Sequence, residues 1–192
     1  MRESDFFNTL AATWDQKRET NKQLLTKLVS KIGIMPNDKI LDLGSGTGVL
    51  LPYIATQAHS VTALDYAGEM LNIARTKNIQ FNNIKYVVDD INTTKLTTEY
   101  TKIICLNFYP HIVNKDAFLQ KIYSLLTDQG QLTIMHDISR HNVNNIHGSC
   151  DQVKDDTLAS VDIEAKKLTS NGFTITETQD NDEYYFIQAL KK

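Results

Sequence analysis

The stretch that most constrains this chain is Lys39-Ile40-Leu41-Asp42-Leu43-Gly44-Ser45-Gly46-Thr47-Gly48-Val49-Leu50. A short apolar run enters three glycines at alternate positions and then passes into a helical pattern. Such a run suits a buried strand. A glycine loop at the end of a first strand lets backbone approach a ligand with no Cβ in the way. The spacing is G-x-G-x-G, not the dinucleotide pattern G-x-G-x-x-G, whose third glycine falls here on Val49. The usual pyrophosphate cradle is therefore incomplete, and this argues against an NAD-dependent oxidoreductase.

The pattern that follows is regular. Ser60-Val61-Thr62-Ala63-Leu64-Asp65 is a second apolar strand whose closing acid lies 21 residues after Gly44. An acid about 20 residues on, at a second strand tip, is where Rossmann-like sites hold ribose hydroxyls. The competing reading is a cap on the next helix. Ile84–Val88 is a third strand, ending in Asp89-Asp90-Ile91. Lys102–Leu106 is a continuous apolar run that suits a strand buried on both faces. Lys115 to Leu126 has helical spacing, stopped by Thr127–Gly130, with Gly130 as the expected turn residue, and Gln131–Met135 is the next strand. Asp156 to Thr169 reads as a helix. Phe173–Glu177 and Tyr184–Leu190 read as a terminal pair of strands. Alternating strands and helices with a final strand pair predict a doubly wound α/β sheet.

The run Ile40-Leu41-Asp42-Leu43-Gly44-Ser45-Gly46-Thr47-Gly48 resembles the first motif of class I S-adenosylmethionine (SAM)-dependent methyltransferases. Asp65-Tyr66-Ala67-Gly68-Glu69-Met70-Leu71 is similar to the second-strand motif of that family. The resemblance spans roughly Ile40 to Leu190. It implies a Rossmann-like, mostly parallel sheet with an antiparallel C-terminal hairpin strand and N-terminal helices. It also implies SAM as cofactor. Asp42, Gly44, Ser45, Gly46 and Gly48 would line the methionine and ribose parts, and Asp65 would take the ribose hydroxyls. Tyr66 and Met70 would lie by the adenine. Asp89 or Asp90 would meet the adenine amino group, with Asp90 favoured, and the Ile91 backbone would reach the ring. Asn107, after the fourth strand, completes the cofactor set.

Ahead of the first strand, Phe6, Phe7, Leu10, Trp14, Leu24, Leu25, Leu28, Val29 and Ile32 fit one or two helices. The segment around Trp14-Asp15 resembles the lid of small-molecule methyltransferases. Trp14 then either closes over the sulfonium by cation–π attraction or packs on the core. The whole chain, 1–192, reads as a single domain, with a helical lid at 1–35 and the core at 36–192.

Methyl transfer from a sulfonium is an in-line displacement that needs positioning first. It needs a base only where the acceptor holds a proton. The acceptor side is carried by Met135–Gly148, which holds three of the five histidines. His136 and His141 are the candidate bases. His111, Arg140 and His147 are candidate substrate contacts, with Arg140 suited to an anionic group. His136, Asp137, His141 and His147 include metal-ligand types, but their spacing matches no standard signature, so no metal is expected.

Net charge is −3, and nothing forms an electrostatic footprint for nucleic acid. In Asn107-Phe108-Tyr109-Pro110 the proline follows the aromatics, the reverse of the order in amino-methylating nucleic-acid enzymes of the family. Both observations argue against a nucleic-acid substrate. No apolar run approaches the roughly 18 residues of a membrane span, and the charged start Met1-Arg2-Glu3-Ser4-Asp5 is not a signal peptide. Two cysteines make no disulfide framework, so a cytoplasmic location is expected. The expected function is methyl transfer to a small molecule, against the alternatives of a non-catalytic SAM-binding module and a nucleic-acid methyltransferase. A homodimer is left open.

Overall fold

The computed structural model describes residues 3–17, 20–96 and 99–192. Met1 and Arg2, and two residues within the expected lid, Arg18 and Glu19, lie outside them. Among the described residues the sheet has seven strands in the order β3-β2-β1-β4-β5-β7-β6, and the chain falls into two compact units, 1–95 and 96–192.

In the first unit, α1 (Glu3–Lys17) and α2 (Lys22–Ile32) precede β1 (Lys39–Leu43). The α2 helix starts where Asn21 accepts from the Leu24 amide at 3.0 Å, and it stops at Gly33, whose φ of 64° suits glycine. Its apolar residues Leu24, Leu25, Leu28, Val29 and Ile32 recur on one face and are all buried. The β1 strand pairs in parallel with β2 (Ser60–Asp65), and β2 with β3 (Ile84–Val88). Between β1 and β2 lies the five-residue helix α3 (Leu51–Ala55), and α4 (Gly68–Lys77) follows β2. The α1 helix lies along α4. Ala11, Ala67 and Met70 form a buried cluster there, with Phe7, Trp14 and Ile73 packed against it.

In the second unit, β4 (Tyr100–Leu106) runs parallel to β5 (Leu126–His136), with Leu106 beside Met135. A single 3-10 turn, Tyr109–His111, and α5 (Lys115–Leu125) join them. After β5 come α6 (Arg140–Gly148), α7 (Val161–Ser170), β6 (Phe173–Asp180) and β7 (Tyr185–Lys191). The β7 strand lies between β5 and β6 and is antiparallel to both, so it alone is reversed in this unit. This is the Rossmann-like, mostly parallel sheet with an antiparallel C-terminal strand that the sequence implied.

Three local expectations change. The expected turn is instead an irregularity near the start of β5, between the pairings of Leu126 and Gln131, and its positive φ, 60°, falls at Gln129, not at Gly130. Gly130 is needed for a different reason: a Cβ there would meet the Thr127 carbonyl at 2.8 Å. The polar stretch after β5 is helical from Arg140, with Ser139 accepting from the Asn142 amide at 3.3 Å as its cap. The last helix begins at Val161, because residues 156–160 are not helical.

The glycine loop holds a fold constraint of its own. Gly48 has φ of 78°, and a Cβ on it would sit 2.9 Å from Ala74 Cβ, Asn78 Nδ2 and Leu51 Cδ1. Gly48→Ala is therefore expected to destabilise the protein by about 3 kcal/mol, from overpacking plus left-handed strain. The melting temperature should fall by roughly 5–10 °C. A melting curve within a degree of the parent would remove Gly48 from the packing account.

Candidate active site

The loop after β1 is held by backbone bonds to β2: the Gly44 and Ser45 amides donate to the Leu64 carbonyl at 2.9 and 3.1 Å. Gly44 and Gly46 have φ of 66° and 53°, a region that glycine enters without a Cβ penalty. The glycines divide the work. Gly48 is closed in by side chains, whereas a Cβ built on Gly46 would find only the Gly44 carbonyl, 3.9 Å away. The backbone at Gly46 thus borders open space, as a cradle for a close-lying ligand requires.

Two carboxyl groups flank that space. Asp65 is buried; its Oδ2 accepts from the Gly46 amide at 2.8 Å and its Oδ1 from the Ala67 amide at 2.8 Å. The bond to the Ala67 amide is a local turn ahead of α4 and not the competing helix cap, since Ala67 is itself the N-cap residue and α4 has no side-chain cap bond. The bond from the Gly46 amide pins the glycine loop to the tip of β2. Asp42 is buried in β1, and among the described residues its Oδ2 has no hydrogen-bond partner. Burial pushes its carboxyl up to about 7, against the lowering effect of the Ser45 hydroxyl, and the Asp65 charge pushes it further the same way. Ser45 is buried, its hydroxyl donating to the Asp42 carbonyl at 2.9 Å.

Two acids beside a glycine loop oppose a pyrophosphate and favour a cation. A ligand ammonium would supply the partner that the Asp42 carboxyl lacks. SAM carries both an ammonium and a sulfonium, so the residues present fit that group.

The α1 helix reaches this loop. The buried Thr47 hydroxyl donates to Asp15 Oδ1 at 2.6 Å, and Lys77 pairs with Asp15 Oδ2 at 2.7 Å. The Glu69 amide donates to Asn8 at 2.9 Å. Phe7 meets Trp14 and Tyr66 edge-on, at 5.8 and 6.1 Å between centroids. Trp14 and Met70 both belong to this α1–α4 contact, Met70 being buried in it. At the end of β3, Asp90 is exposed and its Oδ1 accepts from the Asn92 backbone and side-chain amides, each at 2.8 Å. Asp89 is half-buried and Ile91 buried.

In the second unit, Asn107 ends β4 with φ of 53°, a strain that asparagine tolerates better than most side chains. Its amide group donates to Asp137 Oδ1 at 2.9 Å, tying the tips of β4 and β5. His136 and His141 lie apart, whereas the His111 and His147 rings come within 5.0 Å of each other. His136 is buried, edge-on to Tyr185 at 5.9 Å. His141 is exposed on α6 and bonds Asn145 one turn on, at 2.9 Å. His147 bonds the Asp156 carbonyl, and burial lowers its pKa. Among the described residues, no group of three or more His, Cys, Asp or Glu gathers closely enough to hold a metal. Arg140, expected to grip an anionic acceptor, gives its Nε to Asp180 at 2.6 Å. Its own chain thus supplies the anion, because β6 runs three residues past its expected end.

Sequence reasoning missed Asp156 and Glu164. His111 Nδ1 lies 2.7 Å from Asp156 Oδ2. The Tyr109 hydroxyl donates to the buried Glu164 at 2.8 Å, and burial drives the Tyr109 pKa up, the Glu164 charge adding to it. Both acids lie some 45 to 55 residues along the chain from their partners, so no local pattern announces them.

Comparison with known proteins agrees with this picture. Residues 40–130 match the family model of the methyltransferase domain. This match supports a class I SAM-dependent methyltransferase domain over that part of the chain. The mitochondrial ubiquinone biosynthesis O-methyltransferase of Schizosaccharomyces pombe is 24% identical over 152 residues, covering 72% of this chain and 55% of that protein. The ubiquinone/menaquinone biosynthesis C-methyltransferase UbiE of Vibrio parahaemolyticus is 27% identical over 145 residues, covering 69% of this chain and 56% of that one. The chain thus spans little more than half the length of these curated relatives. The structure of DhpI in complex with S-adenosylhomocysteine (SAH) superposes with a TM-score of 0.80 at 16% identity, over 97% of this chain and 94% of that one.

Proposed function

We propose that this chain binds SAM and transfers its methyl group to a small-molecule acceptor. The observation that carries the reading is the buried Asp42 carboxyl, unpartnered at Oδ2 among the described residues, beside a glycine cradle whose loop is fixed by Asp65. When bound, SAM supplies an activated methyl on a positive sulfur. Gly44 and Gly46 admit the ligand to backbone contact, and Ser45 keeps the loop folded over Asp42. Asp42 pairs with the ligand ammonium, and the Asp65 carboxylate accepts the ribose hydroxyls. Asp90, with the Ile91 backbone, meets the adenine edge, and Tyr66 lies along the ring. The α1 helix, held by Asp15 on Thr47 and Lys77, acts as a lid that limits water. Trp14 and Met70 support that lid from its contact with α4. The layout in this reading is one domain, with residues 1–35 as lid and 36–192 as core.

The net charge of −3 suits a small acceptor over a nucleic-acid one. The test is turnover of methyl-labelled SAM with a panel of small hydroxyl, amine and carboxylate compounds. Label appearing in a small product with stoichiometric SAH is expected. Tight SAH binding with no label transferred to any class would make the chain a SAM-binding module instead.

A further inference from the structure

In the second unit, the segment between α6 and α7, residues 149–160, has no helix or strand of its own. Its backbone bonds are short-range turns, from Cys150 to His147, Val153 to Cys150 and Asp156 to Val153. Such turns leave the place of a segment in the fold to its side chains. Val153 and Leu158 are buried, and Asn144 of α6 exchanges two bonds with the Leu158 backbone, at 2.8 and 3.1 Å. Asp156 takes His147 Nδ1 on its carbonyl, and takes His111 Nδ1 on its carboxylate at 2.7 Å. One residue of the segment thus holds two imidazoles, whose rings lie 5.0 Å apart and are tilted by 34°. Carbonyl and carboxylate oxygens only accept, so both rings donate from Nδ1. The side chains of His111 and Asp156 are 14% and 21% exposed, so charge on them is poorly screened by salt.

We propose that His111 and His147 form an acid-operated fastener: while His147 is neutral, Asp156 holds residues 149–160 against the turn after β4, and charging both rings releases them. The inference concerns the second unit alone and does not depend on the methyltransferase reading. Asp156 brings one negative charge, which suits one imidazolium. Two imidazoliums 5.0 Å apart share that charge and repel each other. His147 is the ring that resists protonation. Burial, first, and then the neighbouring His111 hold its pKa below the ordinary histidine value of about 6.5, against the Asp156 carbonyl and carboxylate. Above about pH 6.5 His147 is neutral in both the fastened and the released states, and the fastening is at full strength. Below it the released state takes up the proton first, so the fastened state loses up to about tenfold per pH unit. The fastener spans the carboxyl ends of β4 and β5, the edge at which parallel α/β sheets bind ligands. Acid therefore loosens that edge within the second unit.

The other charges around the pair come from each neighbouring element. Lys115 from α5 interacts with both Glu164 and Asp156, so it competes with the imidazoles for the Asp156 charge. Glu164 from α7 is bonded to Tyr109, in the turn that carries His111, and lies 3.8 Å from Lys167. Within the segment, Asp151 pairs with Lys154 at 3.5 Å. Asp156 is the carboxylate bonded to the pair.

The test is hydrogen exchange of the full chain, read by mass spectrometry at pH 7.5 and 5.5 and corrected for the chemical exchange rate. Protection over residues 149–160 is expected to fall by about three- to tenfold at the lower pH, while β4 and β5 change by less than about twofold. His147→Asn keeps a donor near the Nδ1 position and cannot titrate. His111→Asn keeps a donor to Asp156 and removes the repelling ring. In each variant the segment should hold its protection within about twofold between the two pH values. An NMR titration of the parent, which needs no variant, should place the His147 midpoint below about 6.5, and His111→Asn should raise it. Equal protection of the parent segment at both pH values, a fall shared equally by β4 and β5, or a fall that persists in either variant would overturn the proposal. So would a His147 midpoint at or above the ordinary value.

Discussion

Replacing Asp42 with asparagine is expected to flatten the pH dependence of stability between pH 4 and pH 7, and to make SAH binding weaker and insensitive to pH. The Asp42 carboxyl is buried and titrates at about 7, against 3.8 for an ordinary aspartate. Below pH 4 it is protonated in both folded and unfolded chains, and the folded state pays nothing for it. As the pH rises through this window, the unfolded chain ionises while the folded one holds its proton, so stability is lost. Three pH units at about 1.4 kcal/mol each give a loss of about 4 kcal/mol by pH 7. Asparagine carries no charge to bury and should escape most of it. The ligand reverses the sign. An ammonium beside Asp42 favours the ionised form, so SAH affinity in the parent should rise up to tenfold per pH unit below 7 and level off above. Urea melts and SAH titrations at pH 5 and 8 measure both effects. Parallel pH slopes in parent and variant would show that Asp42 is not the titrating group.

Asp65→Ala should lower SAH affinity by at least 100-fold. Each Asp65 oxygen accepts a backbone amide at 2.8 Å, and one of those amides belongs to Gly46. Removing the side chain strands two sheltered donors, frees the glycine loop from β2, and deletes a charged acceptor for ribose. Each charge-assisted bond is worth about 1.5–3 kcal/mol, and about 3 kcal/mol in total already gives 100-fold. Asp65→Asn keeps one acceptor oxygen and should fall between variant and parent. Circular dichroism of the unliganded variants separates a lost site from a lost fold. An Asp65→Ala chain that remains folded and binds SAH like the parent would take Asp65 out of the site.

The strands and the cofactor loop were legible because their physics is local. Apolar runs bounded by glycine or aspartate placed β1 ahead of the glycines and marked β2 and β3 to the residue, and the 21-residue interval placed Asp65 at the tip beside the loop. The limits are just as physical. The three loop glycines look alike in sequence, and only their neighbours in space separate Gly46, which borders a cradle, from Gly48, which lets α4 approach. The α6 helix is hard to see in the sequence because Val143 is its one buried residue. With no apolar face to give it a period, the remaining sign was Ser139 as cap. Arg140 looked available until β6 extended to bring Asp180 to it. His111 drew notice through its place after β4, but its carboxylate, Asp156, lies 45 residues on in a segment expected to be helical.

The account rests on a loop and two acids arranged for a cationic adenosyl compound. Calorimetric titration of the unmodified chain at pH 8 with SAM, SAH and NAD addresses that arrangement directly. Saturable one-to-one binding of SAM and SAH, with no saturable heat from NAD, is the predicted result. Binding of NAD with none of SAM or SAH would contradict it.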